Sequence, residues 1–335
     1  MLPPSIDVLV PFWGMAGGVI KILDYADHAA QLGIATTLWA PPMPPADSPV
    51  HSQPALQRLL ANDRVTLRPL DEFAIDANAT VLFTEPTHHL LIERASPASL
   101  GARLVHLVQG TRHANPSWND GLNYRLLHRP MTRIAVTAQV MAAISPLVDP
   151  RYPVHTIVEG HDCAYFENPT STDPASETNA PLRVLYATWK SDLGDRVAEA
   201  VNAKPAVDGR PIAFIAIRST LGWPALRNRY RGADVLLCSP GPEEGFYLPG
   251  LEAMAAGLAV VTADVGGNAA YLRPDQNALV VGHDDVDAHV AAIERLRVEP
   301  LLRDRLIAGG FDTIGAHTLE RERAEFGDVL AAIGT

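Results

Sequence analysis

Cysteine is scarce in this chain of 335 residues: only Cys163 and Cys238 occur. Two cysteines cannot build a disulfide framework, and no Cys-x-x-Cys is present to suggest redox or zinc chemistry. Cys238 closes the apolar run 235–238 and reads as a buried strand residue. The 12 histidines form no cluster with metal-ligand spacing, so no metal is expected. Basic residues are in deficit, with a formal net charge of −11, which speaks against nucleic acid as a general partner because its phosphates would be repelled. No stretch approaches the ~18 apolar residues of a membrane span. The first residues lack a basic stretch followed by an apolar core, so no signal peptide is expected and a reducing, cytoplasmic setting fits.

What the chain has is apolar content, 47% against 19% charged, enough for large cores and for two domains of ordinary size. Continuous apolar runs alternate with helical patterns. Strands are expected at 6–12, 34–39, 80–84, 104–108 and 134–137, then at 183–187, 212–217, 235–238, 258–262 and 278–281. Unbroken runs of this kind suit parallel strands buried on both faces. Alternation with helices argues for an α/β architecture of two doubly wound, Rossmann-like domains. Residues 168–181, with three prolines, many small polar residues and no large apolar one, read as a linker. The expected division is 1–167, the linker 168–181, a second domain 182–317, and a C-terminal helix within 318–335. Helices of the second domain are expected near 192–203, 224–232, 249–256, 286–297 and 299–309.

The most informative stretch is 239–257, Ser-Pro-Gly-Pro-Glu-Glu-Gly-Phe-Tyr-Leu-Pro-Gly-Leu-Glu-Ala-Met-Ala-Ala-Gly. Pro249 suits a helix start, where its missing N–H would be unpaired anyway. Leu251, Met254 and Ala255 give an apolar face, and Gly257 suits a left-handed cap. Glu244 therefore falls in the loop before a helix, and Glu252 on its first turn. The positive end of the helix dipole faces that loop, which favours anions such as phosphates.

This stretch resembles the donor-site motif of the family 4 retaining glycosyltransferases, Glu-x7-Glu within E-G-F-G-L-P-x-L-E-A-M-A-x-G. The resemblance is close over most of the second domain and looser over the first. It implies the GT-B fold, two Rossmann-like domains facing across a cleft, with the last helix packed back on the first. It implies that Glu244 contacts the transferred sugar and Glu252 the ribose of a nucleotide sugar, with Gly245, Phe246, Tyr247 and Leu248 lining the donor.

The resemblance extends to other positions. Gly17-Gly18, after the first strand, matches a glycine pair that meets donor phosphates or acceptor. Gly266-Gly267 matches Gly-Gly-x-x-Glu, although Asn268-Ala269-Ala270-Tyr271 follows and the trailing Glu is missing. Lys190 and Arg196 occupy the places of the basic pair that neutralises the leaving diphosphate, in reversed order. With two cations and a helix terminus supplying charge stabilisation, no metal is needed. The acidic run Asp284-Asp285-Val286-Asp287 reads as a helix start, where carboxylates complement the dipole. Gln109-Gly110 resembles the subset that includes bacterial rhamnosyltransferases, and Gln109 and His113 are acceptor-side candidates. A histidine in that loop is otherwise a surface residue, and His106, inside an apolar run, reads as structural. Arg103, Arg112, Arg125, Arg129 and Arg133, with Trp118, Tyr124, Leu126 and Leu127, give a basic bias suited to an anionic acceptor or peripheral contact with the inner face of a membrane.

The expected activity is transfer of a sugar from a nucleotide diphosphate donor to a saccharide, lipid-linked or small-molecule hydroxyl, with retention and without a cofactor. Polysaccharide, glycolipid or glycoconjugate biosynthesis is the expected setting. The rivals are a nucleotide-sugar epimerase or a phosphorylase on the same architecture, and a degenerate nucleotide-binding homologue.

Overall fold

The structure is a computed structural model describing residues 1–75, 80–95, 103–168, 180–204 and 210–333. These residues form two all-parallel sheets. The first has seven strands, β1 (Ser5–Leu9), β2 (Ala35–Ala40), β3 (Val65–Pro69), β4 (Thr80–Phe83), β5 (Leu104–Val108), β6 (Thr132–Ala135) and β7 (Val154–Thr156), in the order β3-β2-β1-β4-β5-β6-β7. The second has five, β8 (Leu182–Ala187), β9 (Ile212–Ile217), β10 (Val235–Cys238), β11 (Ala259–Ala263) and β12 (Leu279–Val281), in the order β12-β11-β10-β8-β9. Both are doubly wound. Strand order reverses between β1 and β4 in one sheet and between β8 and β10 in the other, and crevices for ligands open beyond the carboxyl ends of strands at such points.

The central strands β4, β5, β6, β10 and β11 are buried at every residue, as strands of a parallel sheet covered on both faces are, including His106 of β5 and Arg133 of β6. Two strands were not expected from the sequence. β3 is an edge strand exposed along most of its length and ends at Pro69, and β7 has three half-buried residues. The run at 6–12 is strand only to Leu9. The Val10 N–H still bonds to the Trp39 carbonyl at 2.9 Å, and Pro11 then offers no N–H, leaving Phe12 exposed.

The chain divides into two compact units, Met1–Gly160 with Leu319–Thr335, and His161–Thr318. Residues 169–179 of the expected linker lie outside the described residues. In the first unit Leu9, Val81, Phe83, Leu104 and Met131 share a core, and the last helix, Leu319–Ile333, lays Phe326 edge-on against Tyr25 at 4.8 Å. In the second unit Leu182, Val184, Val235, Leu237, Val261 and Ile293 form the core. No helix among the described residues is long and apolar enough to cross a membrane.

Candidate active site

In the second unit the carboxyl ends of β8 and β10 lead into the two loops that carry Lys190 and Glu244. The structure brings these residues together: the Lys190 ammonium donates to Glu244 Oε1 and lies 5.2 Å above the Tyr247 ring. Lys190 and Glu244 keep part of their side chains exposed, whereas Gly245, Phe246, Tyr247 and Leu248 are buried. Phe246 is wedged between the rings of Tyr271 (5.0 Å) and His317 (5.6 Å). The Tyr271 hydroxyl donates to the Tyr247 carbonyl at 2.9 Å. The Glu244 loop is thus fixed from behind while its carboxylate stays accessible.

The helix that follows is Leu248–Ala255, with Pro249 at its second position. Gly257 takes the expected left-handed conformation at φ +77°. The expected single apolar face is too narrow a description, since Gly250, Leu251, Glu252, Ala253, Met254 and Ala255 are all buried. Glu252 is therefore a buried carboxylate, 4% exposed. Its Oε2 accepts from the Tyr230 hydroxyl at 2.7 Å, and its Oε1 lies 3.1 Å from His161 Nε2.

Gly266-Gly267 forms a 3-10 turn after β11. A Cβ on Gly267 would lie 2.2 Å from the Glu244 carbonyl oxygen, so only glycine lets the two loops meet. Arg196 pairs with Asp284 and, at 3.1 Å, with Asp192. Lys190 is the cation that pairs with Glu244, and Arg196 sits in a separate, partly exposed acidic cluster. Asp285 of the expected helix start caps Val286–Val298 by accepting from the Ala288 N–H at 2.9 Å.

In the first unit the corresponding reversal point lies beyond β1 and β4. Gly17-Gly18 opens the helix Gly17–Gln31. The Gln109 amide donates to the Gly18 carbonyl at 3.1 Å and to Thr84 Oγ1 at 2.7 Å, joining the loops after β1, β4 and β5. His113 is not the surface residue the loop suggested: it is 4% exposed and packs edge-on to His106 at 5.2 Å. Burial, reinforced by the Arg112 charge, pushes its pKa down to about 3, so the imidazole stays neutral at working pH.

Glu85, which the sequence did not single out, is half-buried in the loop that follows β4. Burial raises its pKa, against the opposing Arg112 charge. Sequence reasoning also missed the partners of Glu252, because His161 and Tyr230 stand outside the motif. The expected basic surface is also thinner than the arginine count suggested. Arg133 is fully buried and donates to the carbonyls of Leu126, Leu127, Arg129 and Met131, while Arg129 pairs with Glu93. Among the described residues no His, Cys, Asp and Glu cluster could hold a metal ion.

Two doubly wound parallel sheets of this kind are the architecture of the GT-B fold. Residues 206–298 match the family model described as glycosyl transferases group 1. The chain is 41% identical over 87 residues to a D-inositol 3-phosphate glycosyltransferase of Thermomonospora curvata, covering 26% of this chain and 20% of that protein. It is 31% identical over 129 residues to the enzyme of that name from Kribbella flavida, covering 34% of this chain and 30% of that protein. The matched stretches therefore span less than a third of these relatives. Sucrose-phosphate synthase from Thermosynechococcus elongatus superposes with a TM-score of 0.69 at 16% identity, over 98% of both chains. Anabaena HepE in complex with UDP-glucose does so with a TM-score of 0.70 at 14% identity, over 98% of this chain and 99% of that one.

Proposed function

We propose that the protein is a glycosyltransferase that moves a hexosyl or deoxyhexosyl group from a nucleotide diphosphate sugar to an acceptor hydroxyl, with retention at the anomeric carbon. The observation that carries this reading is the pairing of Lys190 with Glu244 at the reversal point of the second sheet, on the loop that enters the helix bearing Glu252. Lys190 and the helix terminus stabilise the diphosphate as negative charge develops on it. Glu244 accepts hydroxyls of the transferred sugar, and Glu252 accepts those of the ribose. The Gly266-Gly267 turn lets backbone approach the phosphates.

In the transfer step the bond between the anomeric carbon and the diphosphate oxygen breaks as the acceptor oxygen bonds to the same face of that carbon. The acceptor proton passes to the departing phosphate oxygen, so no protein base is required. Gly17-Gly18, Gln109 and neutral His113 belong to the acceptor side in this reading. A saccharide or lipid-linked acceptor fits biosynthesis of polysaccharide or glycoconjugate, and contact with the inner face of a membrane would bring a lipid-linked acceptor to the site.

The test is release of nucleoside diphosphate from UDP-, GDP-, TDP- and ADP-sugars, with and without candidate acceptors. Acceptor-dependent release that survives EDTA is the expected result. Conversion of the donor sugar without an acceptor would instead identify an epimerase. Activity abolished by EDTA and restored by magnesium would overturn metal-independent stabilisation by Lys190.

A further inference from the structure

Glu252 poses a problem of geometry. A carboxylate only 4% exposed is costly to bury unless its lone pairs are satisfied. Two groups from outside the motif do this. The Tyr230 hydroxyl reaches Oε2 at 2.7 Å from the end of the helix Trp223–Arg231, and His161 Nε2 lies 3.1 Å from Oε1. A carboxylate only accepts, so both partners act as donors, and the His161 proton facing Glu252 is on Nε2. Each oxygen keeps a further lone pair.

Both donors are themselves held. The His161 backbone N–H bonds to the His317 carbonyl at 2.9 Å. Its ring stacks on Phe166 at 5.8 Å and leans on Trp223 at 5.4 Å. Tyr230 meets the same Phe166 ring edge-on at 5.7 Å. Two rings, Phe166 from the helix Cys163–Phe166 and Trp223 from the helix Trp223–Arg231, thus pack against the two donors on one carboxylate. A simple surface glutamate at a helix start would need none of this.

We infer that His161 and Tyr230 are positioning residues that fix the Glu252 carboxylate as a pure acceptor for the paired hydroxyls of a ribonucleotide, and so set the preference for ribose over deoxyribose. The inference rests on the reading of Glu252 as the ribose contact. A site that places a buried acceptor for a hydroxyl rejects the analogue lacking it, because the acceptor is then left unpaired. The rejection is only as sharp as the acceptor is rigid.

The test compares binding of UDP and GDP with that of their 2′,3′-dideoxy analogues by calorimetry, in the wild type and in Tyr230→Phe and His161→Phe. Each variant keeps an aromatic ring and loses one donor. The expected result is about a 10-fold loss of ribonucleotide affinity in either variant. Affinity for the dideoxy analogue should not change, so the discrimination ratio collapses. His161→Gln, which restores an N–H, should recover part of it. A merely structural role would weaken both ligands alike, and that outcome, or an unchanged ratio in both variants, overturns the inference. If the wild type itself does not discriminate, or binds neither diphosphate, the ribose reading of Glu252 falls first and the inference with it.

Discussion

Glu244 and Glu252 lie eight positions apart, yet their surroundings differ. Glu244 is partly exposed and paired with the Lys190 ammonium, whereas Glu252 is buried between the Tyr230 hydroxyl and the His161 ring. Replacing Glu244 by Gln frees the Lys190 ammonium. Glu244→Gln should therefore bind bare nucleoside diphosphate as well as the wild type or better, while transfer falls at least 100-fold, on the order of one lost charged hydrogen bond in the transition state. Glu243→Gln is the control for the neighbouring carboxylate. Full activity in Glu244→Gln with loss in Glu243→Gln would reverse the assignment. Glu252→Gln should show the opposite split, with nucleotide affinity weaker by roughly 10- to 150-fold. Equal nucleotide affinity in that variant would remove Glu252 from the ribose site.

At the scale of elements, the sequence showed most where the physics is local. The five strands of the second sheet were legible as unbroken apolar runs, and the helix Leu248–Ala255 from its proline and from Gly257. β3 was not legible, because an exposed edge strand such as Val-Thr-Leu-Arg-Pro needs no apolar pattern; it is specified by its partner β2. The Lys190–Glu244 pair joins residues 54 apart in sequence and the His161–Glu252 pair residues 91 apart. A motif can name one member of such a pair, but only the fold supplies the other.

Long-range packing also buried His113. With His88 and His106 it makes the loops and strands after β4 acid-sensitive. Burial drives His113 to about 3 and His88 to about 4, and holds His106 well below its ordinary value. A histidine depressed in the folded state stabilises the fold above its unfolded pKa, near 6.5, and that stability is lost as pH falls toward the folded value. Each such imidazole can cost up to ~1.4 kcal/mol per pH unit over that window. Urea unfolding of the first unit should show a clear loss between pH 7.5 and 5.5. His113→Asn should make the decline shallower, and identical pH slopes in variant and wild type would show that His113 is protonated without penalty.

For the molecule as a whole, the first unit is discontinuous: residues 319–335 complete it after the chain has built the second. The join is ionic as well as apolar. Buried Lys21 donates to Glu322 at 2.7 Å, to Asp24 at 2.9 Å and to the Gly160 carbonyl at 2.8 Å, and Glu322 also takes the Gly160 N–H at 3.1 Å. Burial alone would lower the Lys21 pKa, but Asp24 and Glu322 outweigh it and raise it. Burial would raise that of Glu322, but Lys21 and His28 outweigh it and lower it. The pair therefore contributes from above the usual carboxylate range to near the usual lysine pKa; the contribution fades as Glu322 is protonated in acid or Lys21 loses its proton in strong base. Lys21→Met leaves Glu322 buried with less compensation and should cost the first unit about 3–5 kcal/mol. Scanning calorimetry can assign that loss. If the units melt separately, saturating UDP or GDP should raise only the second unit's transition, by the equivalent of about 2.7 kcal/mol at 100 times its dissociation constant. Lys21→Met should lower the other transition and leave the nucleotide-dependent one in place. A single transition that falls as a whole in Lys21→Met would mean that the two units do not melt independently, and the assignment of the loss to the first unit would fail.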